Sequence, residues 1–286
     1  MEEENNENGK IKRVFINTFI ILIIIFILIY LYARYSEHSK IVMKEYRISN
    51  ENIPLNFSGI KIIHFSDLYF GNTTGVEEVN KLVEKINIMK PDLILFTGNL
   101  YGNNIKKEDE LQKILLKLDS KLGKYAVKGN NDYYDNYESF MESINFKILK
   151  NEYDLIYNEG LEPIYLCGLN SSLKEEINFE VCNSYFNEKN SNIYKIYMVH
   201  ESDITKKILN NGNVDLIVSG NSLGGLINIP FYGKVFLPNG SKKYNNDYYK
   251  IEDTDLFVSN GIGTDKKPYR FLNKPSFNLY RLKSLK

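Results

Sequence analysis

The hydrophobic pattern of the chain begins with one long apolar run. Residues 14–33 read VFINTFIILIIIFILIYLYA and contain no charged side chain. In a helix, about twenty residues at ~1.5 Å rise per residue span roughly 30 Å, the hydrocarbon thickness of a bilayer. A cleaved signal peptide is the alternative, but its apolar core would be shorter and a small-residue cleavage site should follow. The sequence ARYSEHSK that follows is a poor site. We therefore predict one uncleaved transmembrane helix at residues 14–33.

The segments on either side of this run are polar. Residues 1–13 are rich in Glu and Asn, which is typical of a disordered tail. Residues 34–58 contain Pro54 and are interpreted as a connector and the start of the domain, whose main part is residues 59–286. Basic residues flank the apolar run on both sides, so the positive-inside rule does not fix its orientation.

Beyond residue 58, short β-branched runs alternate with amphipathic segments. Strands are predicted at residues 61–65, 92–97 and 125–128, and helices at 76–86 and 107–118. In the first helix, the apolar residues fall on a single stripe, which is the signature of a helix packed against a sheet. Strand, helix and strand in succession indicate βαβ units and a mostly parallel sheet.

The second half of the domain is richer in strands. Apolar runs predict strands at residues 163–169, 193–199, 215–219, 234–237, 255–259 and 277–282. Helices are predicted near residues 176–188 and 203–210. We therefore expect an α/β domain in which two sheets pack together with helices outside them.

Composition limits the kinds of function. The chain has 36 basic and 36 acidic residues, which argues against a nucleic-acid protein with a broad basic face. Its three histidines would nearly all be used by a His-rich binuclear metal centre. Cys167 and Cys182 are too few for a disulfide scaffold, and the sequence is equally compatible with one disulfide or two free thiols.

The loops after the strands carry the candidate chemistry, because ligands of such sheets bind at the carboxyl ends of strands. Five of these loops read, in order, FSDLYFG (65–71), TGNLYG (97–102), KGNNDYY (128–134), MVHESD (198–203) and SGNSLGG (219–225). This series resembles the membrane-associated bacterial type of calcineurin-like metallophosphoesterase. That family shows D-x-H, G-D-x-x-D, G-N-H-D, a lone His and G-H-x-H-G-G in the same order.

The resemblance extends from about residue 42 to residue 286. The ending GIGTDKKPYRFLNKPSFNL (261–279) is similar to the family ending G-I-G…P-x-R-F…N-x-P-E, with Ser276 in place of the Glu. The resemblance implies a calcineurin-like αββα sandwich of two mixed sheets, preceded by the transmembrane helix. It also implies a site in which seven side chains bind two divalent metals and a histidine assists the leaving group.

Most of these site positions differ from the family pattern. Three metal-ligand positions are kept, as Asp67, Asn130 and His200. Tyr69 replaces the D-x-H histidine and Asn99 replaces the metal-bridging aspartate. The remaining changes put Gly102 at the second acid, Asn131 at the catalytic histidine, and Asn221 and Leu223 at the G-H-x-H pair.

These substitutions weaken both metal positions. Two divalent ions about 4 Å apart repel each other by roughly 15–20 kcal/mol at an effective dielectric constant near 20. Asn99 offers a neutral carbonyl where the family has a bridging carboxylate. The first position retains Asp67 as its good donor, and the second would have Asn99, Asn130, His200 and Asn221, none of them anionic. We expect no cofactor. The alternative is one weakly bound divalent metal (Mn, Fe, Zn or Mg).

For two other residues, His64 and Asp132, we expect a structural role and no role in catalysis. His64 precedes Asp67 by three residues, and strand alternation places it on the opposite face, where we expect a packed or partly exposed histidine. Asp132 matches an acid of the family that lies outside the metal ligands, and we expect it to hold its loop.

Together these features predict a membrane-anchored pseudoenzyme at the cell envelope, and the resemblance implies a domain on the extracytoplasmic side. Its role would be binding or scaffolding, and its protein partner or envelope ligand cannot be identified from the sequence. The alternative is an active phosphomonoesterase or phosphodiesterase with a reduced, single-metal site at Asp67, Asn130 and His200.

Overall fold

A computed structural model describes residues 2–36, 40–102, 106–188, 192–265 and 268–286. Helix α1 (Glu2–Leu31) continues into a π-helical turn at Tyr32–Ser36. The stretch Gly9–Tyr35 is long and apolar enough to cross a membrane, and its most apolar part is not buried against the rest of the protein. Residues 2–13 belong to this helix, where the sequence predicted a disordered tail. The apolar run simply continues a helix that begins earlier.

The domain that follows consists of short strands and helices. In the described part of the chain the strands are β1 (Val42–Asn50), β2 (Lys61–Phe65), β3 (Leu93–Phe96), β4 (Lys124–Ala126), β5 (Lys147–Ile148), β6 (Glu152–Ile156), β7 (Ile164–Gly168), β8 (Lys195–Val199), β9 (Leu216–Ser219), β10 (Asn228–Ile229), β11 (Gly233–Lys234), β12 (Tyr248–Ile251), β13 (Thr254–Val258) and β14 (Ser276–Ser284). The helices are α2 (Val76–Ile88), α3 (Glu108–Leu115), α4 (Tyr137–Ser143), α5 (Glu180–Glu188) and α6 (Thr205–Leu209).

The strands form two six-stranded mixed sheets and one small hairpin. The first sheet has the order β1-β14-β2-β3-β4-β5, and the second has the order β12-β13-β9-β8-β7-β6. Neighbouring strands are parallel except at β14–β2, β12–β13 and β6–β7. Strands β10 and β11 pair only with each other. Two mixed sheets are what the sequence predicted.

The apolar core lies in three layers. Between the sheets, side chains such as Leu95 and Ile196 form one cluster. The outer face of the first sheet packs against α2, α3 and α4, and that of the second sheet packs against α5 and α6. On α2, the predicted stripe is buried at Val79, Leu82, Val83 and Ile86. The domain is therefore a four-layer αββα sandwich, as expected.

The main difference from the sequence prediction lies in residues 34–58, interpreted as a connector and the start of the domain, where no strand was predicted. This segment contains β1, an edge strand that pairs in parallel with β14. Its side chains alternate between partly buried and exposed, and the exposed positions make the segment look like a polar linker. In place of the strand predicted at residues 234–237, the structure has the two-residue strand β11. The last strand, β14, returns to the first sheet between β1 and β2, so the sheets do not divide the chain into halves.

A disulfide joins Cys167 on β7 to Cys182 on α5, which decides between the two alternatives that the sequence left open. The bond closes a loop with a sequence separation of 15 and ties α5 to the second sheet. A loop of this length corresponds to about 3 kcal/mol in the chain-entropy account of disulfide stabilisation.

We expect the substitution Cys182→Ala to lower the free energy of unfolding by about 2–4 kcal/mol, because the unfolded chain gains the freedom of that loop. Denaturant unfolding of the detergent-solubilised chain measures the difference. Reductant should destabilise the wild type by a similar amount and leave Cys182→Ala unchanged. Equal stability of wild type and variant under oxidising conditions would contradict a stabilising disulfide.

Candidate functional site

Loops at the carboxyl ends of five strands meet at one end of the two sheets. The loop after β2 brings Asp67 and Tyr69, and the loop after β3 brings Asn99. The loops after β4 and β8 bring Asn130 and His200. The side chains of these five residues converge on one point, as the strand order implied. The other predicted positions, at Asn131, Asn221 and Leu223, lie around this cluster.

The side-chain amide of Asn99 occupies the centre. Its Nδ2 lies 3.0 Å from Asp67 Oδ1, 2.8 Å from Tyr69 Oη, 3.2 Å from Asn130 Oδ1 and 2.9 Å from His200 Nε2. The backbone N–H of Asn131 donates to Asn99 Oδ1 at 3.0 Å, which directs the NH₂ group inward. The four surrounding atoms can all act as hydrogen-bond acceptors. A neutral donor group therefore stands among four atoms that can accept hydrogen bonds.

His200 is fully buried and held by its second ring nitrogen. Its Nδ1 lies 2.5 Å from the carbonyl oxygen of Thr97. A carbonyl only accepts, so this contact places a proton on Nδ1, and in a neutral ring Nε2 can then accept from Asn99. The Nε2 atom is 3.9 Å from Asp67 Oδ1. In this tautomer the Nε2 lone pair is taken up by the amide.

Asp67 is fully buried and accepts hydrogen bonds at both of its oxygens. Its Oδ2 accepts from Ser66 Oγ at 2.7 Å and from the backbone N–H of Asn221 at 2.9 Å. Its Oδ1 accepts from Asn99 Nδ2. A buried carboxylate needs such donors, and here neutral groups supply them.

Asn221 and Leu223, at the two histidine positions of the G-H-x-H tag, make other side-chain contacts. Asn221 Nδ2 donates to the Asn239 carbonyl oxygen at 2.7 Å and lies 3.0 Å from Ser241 Oγ, so it does not join the central cluster. Leu223 packs with Tyr69 and Leu226 in a small apolar cluster. Burial and the charge of Asp67 raise the pKa of the Tyr69 phenol well above its ordinary value, so the phenol stays neutral. The side of the cluster around Tyr69 and Leu223 is therefore partly apolar.

The loop backbone around the site is held by Asp132. This fully buried carboxylate accepts the backbone N–H groups of Asn99 at 2.6 Å, Leu100 at 2.8 Å and Gly129 at 2.8 Å. Burial raises the pKa of Asp132 to about 6, although these hydrogen bonds oppose the shift. Asp132 thus ties the loop after β3 to the loop after β4.

Several site residues also have a left-handed backbone, which is uncommon for residues other than glycine. The positive φ angles are 53° at Asp67, 46° at Tyr69, 61° at Asn99, 63° at Asn221 and 50° at Leu223. Such conformations cost free energy and persist where the surroundings enforce them. The site loops therefore hold several non-glycine residues in a costly backbone conformation.

Arg270 and Asn273 also build the site, although sequence reasoning assigned them no role. Arg270 is fully buried and donates to the carbonyl oxygens of Asn260 at 2.8 Å and Gly263 at 2.9 Å. The N–H of Gly263 in turn donates to the Asp67 carbonyl at 2.8 Å. Asn273 Nδ2 donates to the Leu223 carbonyl at 2.7 Å. Both residues lie in the family-like ending at residues 261–279, so the resemblance of that ending could have indicated their part in the site.

A cavity of about 370 Å³ opens beside the cluster. Its polar wall is formed by Tyr69, Asn130, Asn131, Asn221 and Asp265. Its apolar wall is formed by Leu223, Leu226, Val235, Phe236, Leu237 and Pro238. Within the described part of the chain, no Lys, Arg or His lines this cavity.

The family profile of the calcineurin-like phosphoesterases matches residues 60–222, which is more than half of the chain. The chain belongs to the calcineurin-like phosphoesterase family. It is 32% identical over 261 residues to the uncharacterized metallophosphoesterase YkuE of Bacillus subtilis, covering 89% of this chain and 90% of that protein. It is 26% identical over 251 residues to an uncharacterized metallophosphoesterase of Aquifex aeolicus, covering 84% of this chain and 91% of that protein.

A further relative in the calcineurin-like family bears on the N-terminal helix. The transmembrane protein with metallophosphoesterase domain of Danio rerio is 22% identical over 121 residues, covering 41% of this chain and 28% of that protein. The long apolar helix and this relative together indicate membrane association.

The histidine on β2 is fully buried and interacts with two hydroxyl groups. His64 Nδ1 lies 2.9 Å from Tyr280 Oη, and its Nε2 lies 2.9 Å from Thr97 Oγ1. The residue is packed, one of the two environments expected from the sequence. Burial lowers the pKa of His64 to about 3, because the charged form cannot be hydrated.

This shift predicts a pH-dependent stability. An unfolded histidine takes up a proton below about pH 6.5, whereas folded His64 does so only near pH 3. Its contribution to the free energy of unfolding should therefore be complete above pH 6.5 and fall by up to about 1.4 kcal/mol per pH unit below it. Denaturant unfolding at several pH values measures this, with His64→Gln as the reference. The stability difference between wild type and variant should shrink as the pH falls from 6.5 to 4; a constant difference would contradict a neutral buried His64.

Proposed function

We propose that this chain is a membrane-anchored calcineurin-like domain that has lost its metal centre and serves a binding or scaffolding role at the cell envelope. The observation that carries the proposal is the position of Asn99 Nδ2 among four acceptor atoms. The NH₂ group has two hydrogens to share among these four atoms, and it occupies the point between Asp67, Asn130 and His200 without a positive charge.

The donor set does not fit a binuclear centre. In the described ranges, no three His, Cys, Asp or Glu side chains come together as a metal-binding group. Among the described residues, Asp67 alone places a carboxylate oxygen in the cluster, and the neutral Asn99 cannot bridge two ions with negative charge. The repulsion of two divalent ions, on the order of 15–20 kcal/mol, would remain largely uncompensated. Leu223 packs against Tyr69, so its position in the G-H-x-H tag supplies no metal-ligating atom.

Acid catalysis also lacks its residue. Asn131 stands where the family has the histidine that protonates the leaving group, and an amide cannot deliver a proton at neutral pH. The loss of a general acid commonly costs about 10²–10⁴-fold in rate. Metal-activated water and leaving-group protonation would therefore both be missing.

The cavity beside the cluster favours a neutral ligand. Its polar wall offers amide groups of Asn130 and Asn131, and its other wall is apolar. None of the described residues that line the cavity is positively charged, and a phosphate group placed there would approach the carboxylate of Asp265. We propose a ligand with a neutral polar group and an apolar portion.

The proposed location is a single-pass membrane protein anchored by residues 14–33, with the domain outside the cytoplasm. The disulfide between Cys167 and Cys182 supports this side of the membrane, because disulfides form and persist in oxidising compartments. Accessibility of the domain to externally added protease in intact cells tests the orientation, and protection from protease would contradict it.

Metal analysis of the purified, full-length chain in detergent is the direct test of function. After growth with Mn, Fe, Zn and Mg present, we expect far less than one bound ion per chain. Two tightly bound transition-metal ions per chain would overturn the proposal.

The second candidate function is a single-metal phosphoesterase, which is favoured by the convergence of Asp67 Oδ1, Asn130 Oδ1 and His200 Nε2 on one point. It requires metal-dependent turnover of a generic aryl phosphate that disappears in His200→Ala and persists in Lys283→Ala, a change on an exposed side chain of β14. We expect no turnover in any of the three proteins.

A further inference from the structure

The hairpin β10–β11 carries a group of exposed apolar side chains. Between its two short strands, Phe231 is 110% exposed relative to its reference state and Tyr232 is 78% exposed. Ile229 on the first strand is 44% exposed. Neighbouring Leu272 is 52% exposed. Exposed apolar clusters of this kind mark surfaces for binding proteins, ligands or membranes.

The base of this hairpin lies next to the end of the N-terminal helix. The backbone N–H of Asn228 donates to the Phe271 carbonyl at 2.9 Å, and the Phe271 ring lies 6.2 Å from the ring of Tyr32. The N–H of Arg270 donates to the Ala33 carbonyl at 3.0 Å. Tyr269 and Tyr30 also place their rings 5.7 Å apart. The segment that supports the hairpin is thus docked on the last turn of the membrane helix.

A second feature joins the hairpin to the same region. A cavity of about 810 Å³ is lined by Tyr32 from the end of the apolar helix and by Asn228 and Lys234 from the hairpin. Both hairpin strands therefore face the helix end across one cavity. From this base, two strand residues and a three-residue turn reach about 7–10 Å farther, at ~3.4 Å per residue.

The side chains around this region are of the kinds found at membrane interfaces. Tyrosines at the end of a membrane helix lie at the level of the lipid headgroups. Lys40 approaches the Tyr32 ring, with its Nζ 5.9 Å from the ring centroid. Lys274 lines the same cavity as Tyr32 and is exposed. An apolar tip with cations beside it is complementary to a bilayer that contains anionic lipids.

We propose that the β10–β11 hairpin is a second membrane contact, in which Phe231 and Tyr232 enter the lipid interface beside the helix. This inference rests on the proposed anchoring by residues 14–33. With two contacts, the domain cannot rotate freely about its connector. The 370 Å³ cavity, whose wall includes Val235 directly after the hairpin, is then held close to the membrane surface.

The absence of tryptophan from the chain allows a clean test. Full-length Phe231→Trp is reconstituted at low protein density into vesicles of phosphatidylcholine and phosphatidylglycerol, with or without brominated acyl chains that quench nearby tryptophan. We expect blue-shifted emission and quenching by brominated lipid about twofold or more above that of a water-exposed tryptophan. Tyr232→Trp should behave in the same way, so the result does not depend on one variant.

The matched control is Leu161→Trp. Leu161 is 95% exposed, and its neighbour Glu162 pairs with Lys286 beside the end of β14, at the opposite end of β1 from the helix. Its emission should remain that of a water-exposed tryptophan. If Phe231→Trp and Tyr232→Trp are quenched no more than Leu161→Trp, the hairpin does not enter the membrane. A blue shift without lipid quenching would indicate that the tip binds a second copy or another part of the chain, and would also overturn the proposal.

A tryptophan in the helix separates this inference from the anchor proposal. Phe19 is 65% exposed and lies within the apolar run, so Phe19→Trp should be strongly quenched. If Phe19→Trp is quenched and Phe231→Trp is not, the hairpin inference alone fails. If neither is quenched, the anchor proposal fails as well.

Discussion

Replacing Asn99 with Asp is expected to lower the free energy of unfolding by about 3–5 kcal/mol at pH 7 in the absence of divalent metal. Asn99 is fully buried, and its Nδ2 donates to Asp67 Oδ1 at 3.0 Å. The substitution would put a carboxylate oxygen in place of that donor. Two buried carboxylates would then face each other, and His200 Nε2 would lose its hydrogen-bond donor.

Denaturant unfolding in detergent with EDTA measures this effect. The matched control is Asn131→Asp, which makes the same chemical change at an exposed side chain of the neighbouring loop. We expect the control to change stability by less than about 0.5 kcal/mol. The cost of Asn99→Asp should become smaller as the pH is lowered, because one proton shared by the two carboxylates removes their repulsion.

Added Mn²⁺ distinguishes the present site from the family pattern. A cation placed between Asp67 and the new carboxylate should partly restore the stability of Asn99→Asp and leave the wild type unchanged. If Asn99→Asp is as stable as the wild type without metal, the buried amide does not have the role that its contacts indicate. The proposed loss of the metal centre would then lose its main support.

The substitution Gly98→Ala is expected to destabilise the chain by about 3 kcal/mol or more. Gly98 has a φ of 90°, and a Cβ at this position would lie 2.2 Å from the backbone nitrogen of Gly129. Neither backbone segment can move easily, because Asp132 binds the N–H groups of both Asn99 and Gly129. The added methyl group would therefore push apart the loops after β3 and β4.

Gly59→Ala is the control for the conformational part of this effect. Gly59 has a similar φ of 92°, but a Cβ there would meet nothing within 4 Å. We expect a cost of about 1 kcal/mol for the strained backbone alone. Thermal or denaturant unfolding compares the two variants. Equal destabilisation by both would show that the close approach of the loops contributes nothing.

Features that follow from a local pattern of apolar residues could be predicted from the sequence, whereas features without such a pattern could not. The stripe on α2 and the apolar runs of β2, β3 and β9 were predicted because buried elements repeat their apolar residues at a fixed period. Strand β1 was missed because an edge strand with exposed alternate positions resembles a polar linker. The site loops were found because parallel strands bring their carboxyl ends to one edge.

Side-chain orientation within the site could not be predicted in the same way. Asn221 and Asn130 are both asparagines at family ligand positions, yet Asn130 Oδ1 faces Asn99 while Asn221 Nδ2 binds the Asn239 carbonyl. The direction of each amide depends on donors and acceptors from loops that are distant in sequence. Arg270 was missed for a similar reason, since the carbonyl groups around it come together only in the folded chain.

By itself, the sequence determined that an apolar run of membrane-spanning length precedes an α/β domain, and it predicts that most ligand positions of the family-like loops have changed. Those conclusions depend on residue type and spacing. The tertiary structure alone decided that Cys167 pairs with Cys182, that β14 lies between β1 and β2, and that the Asn99 amide fills the centre of the site. These features are contacts between distant segments, and local periodicity carries no information on which distant groups meet.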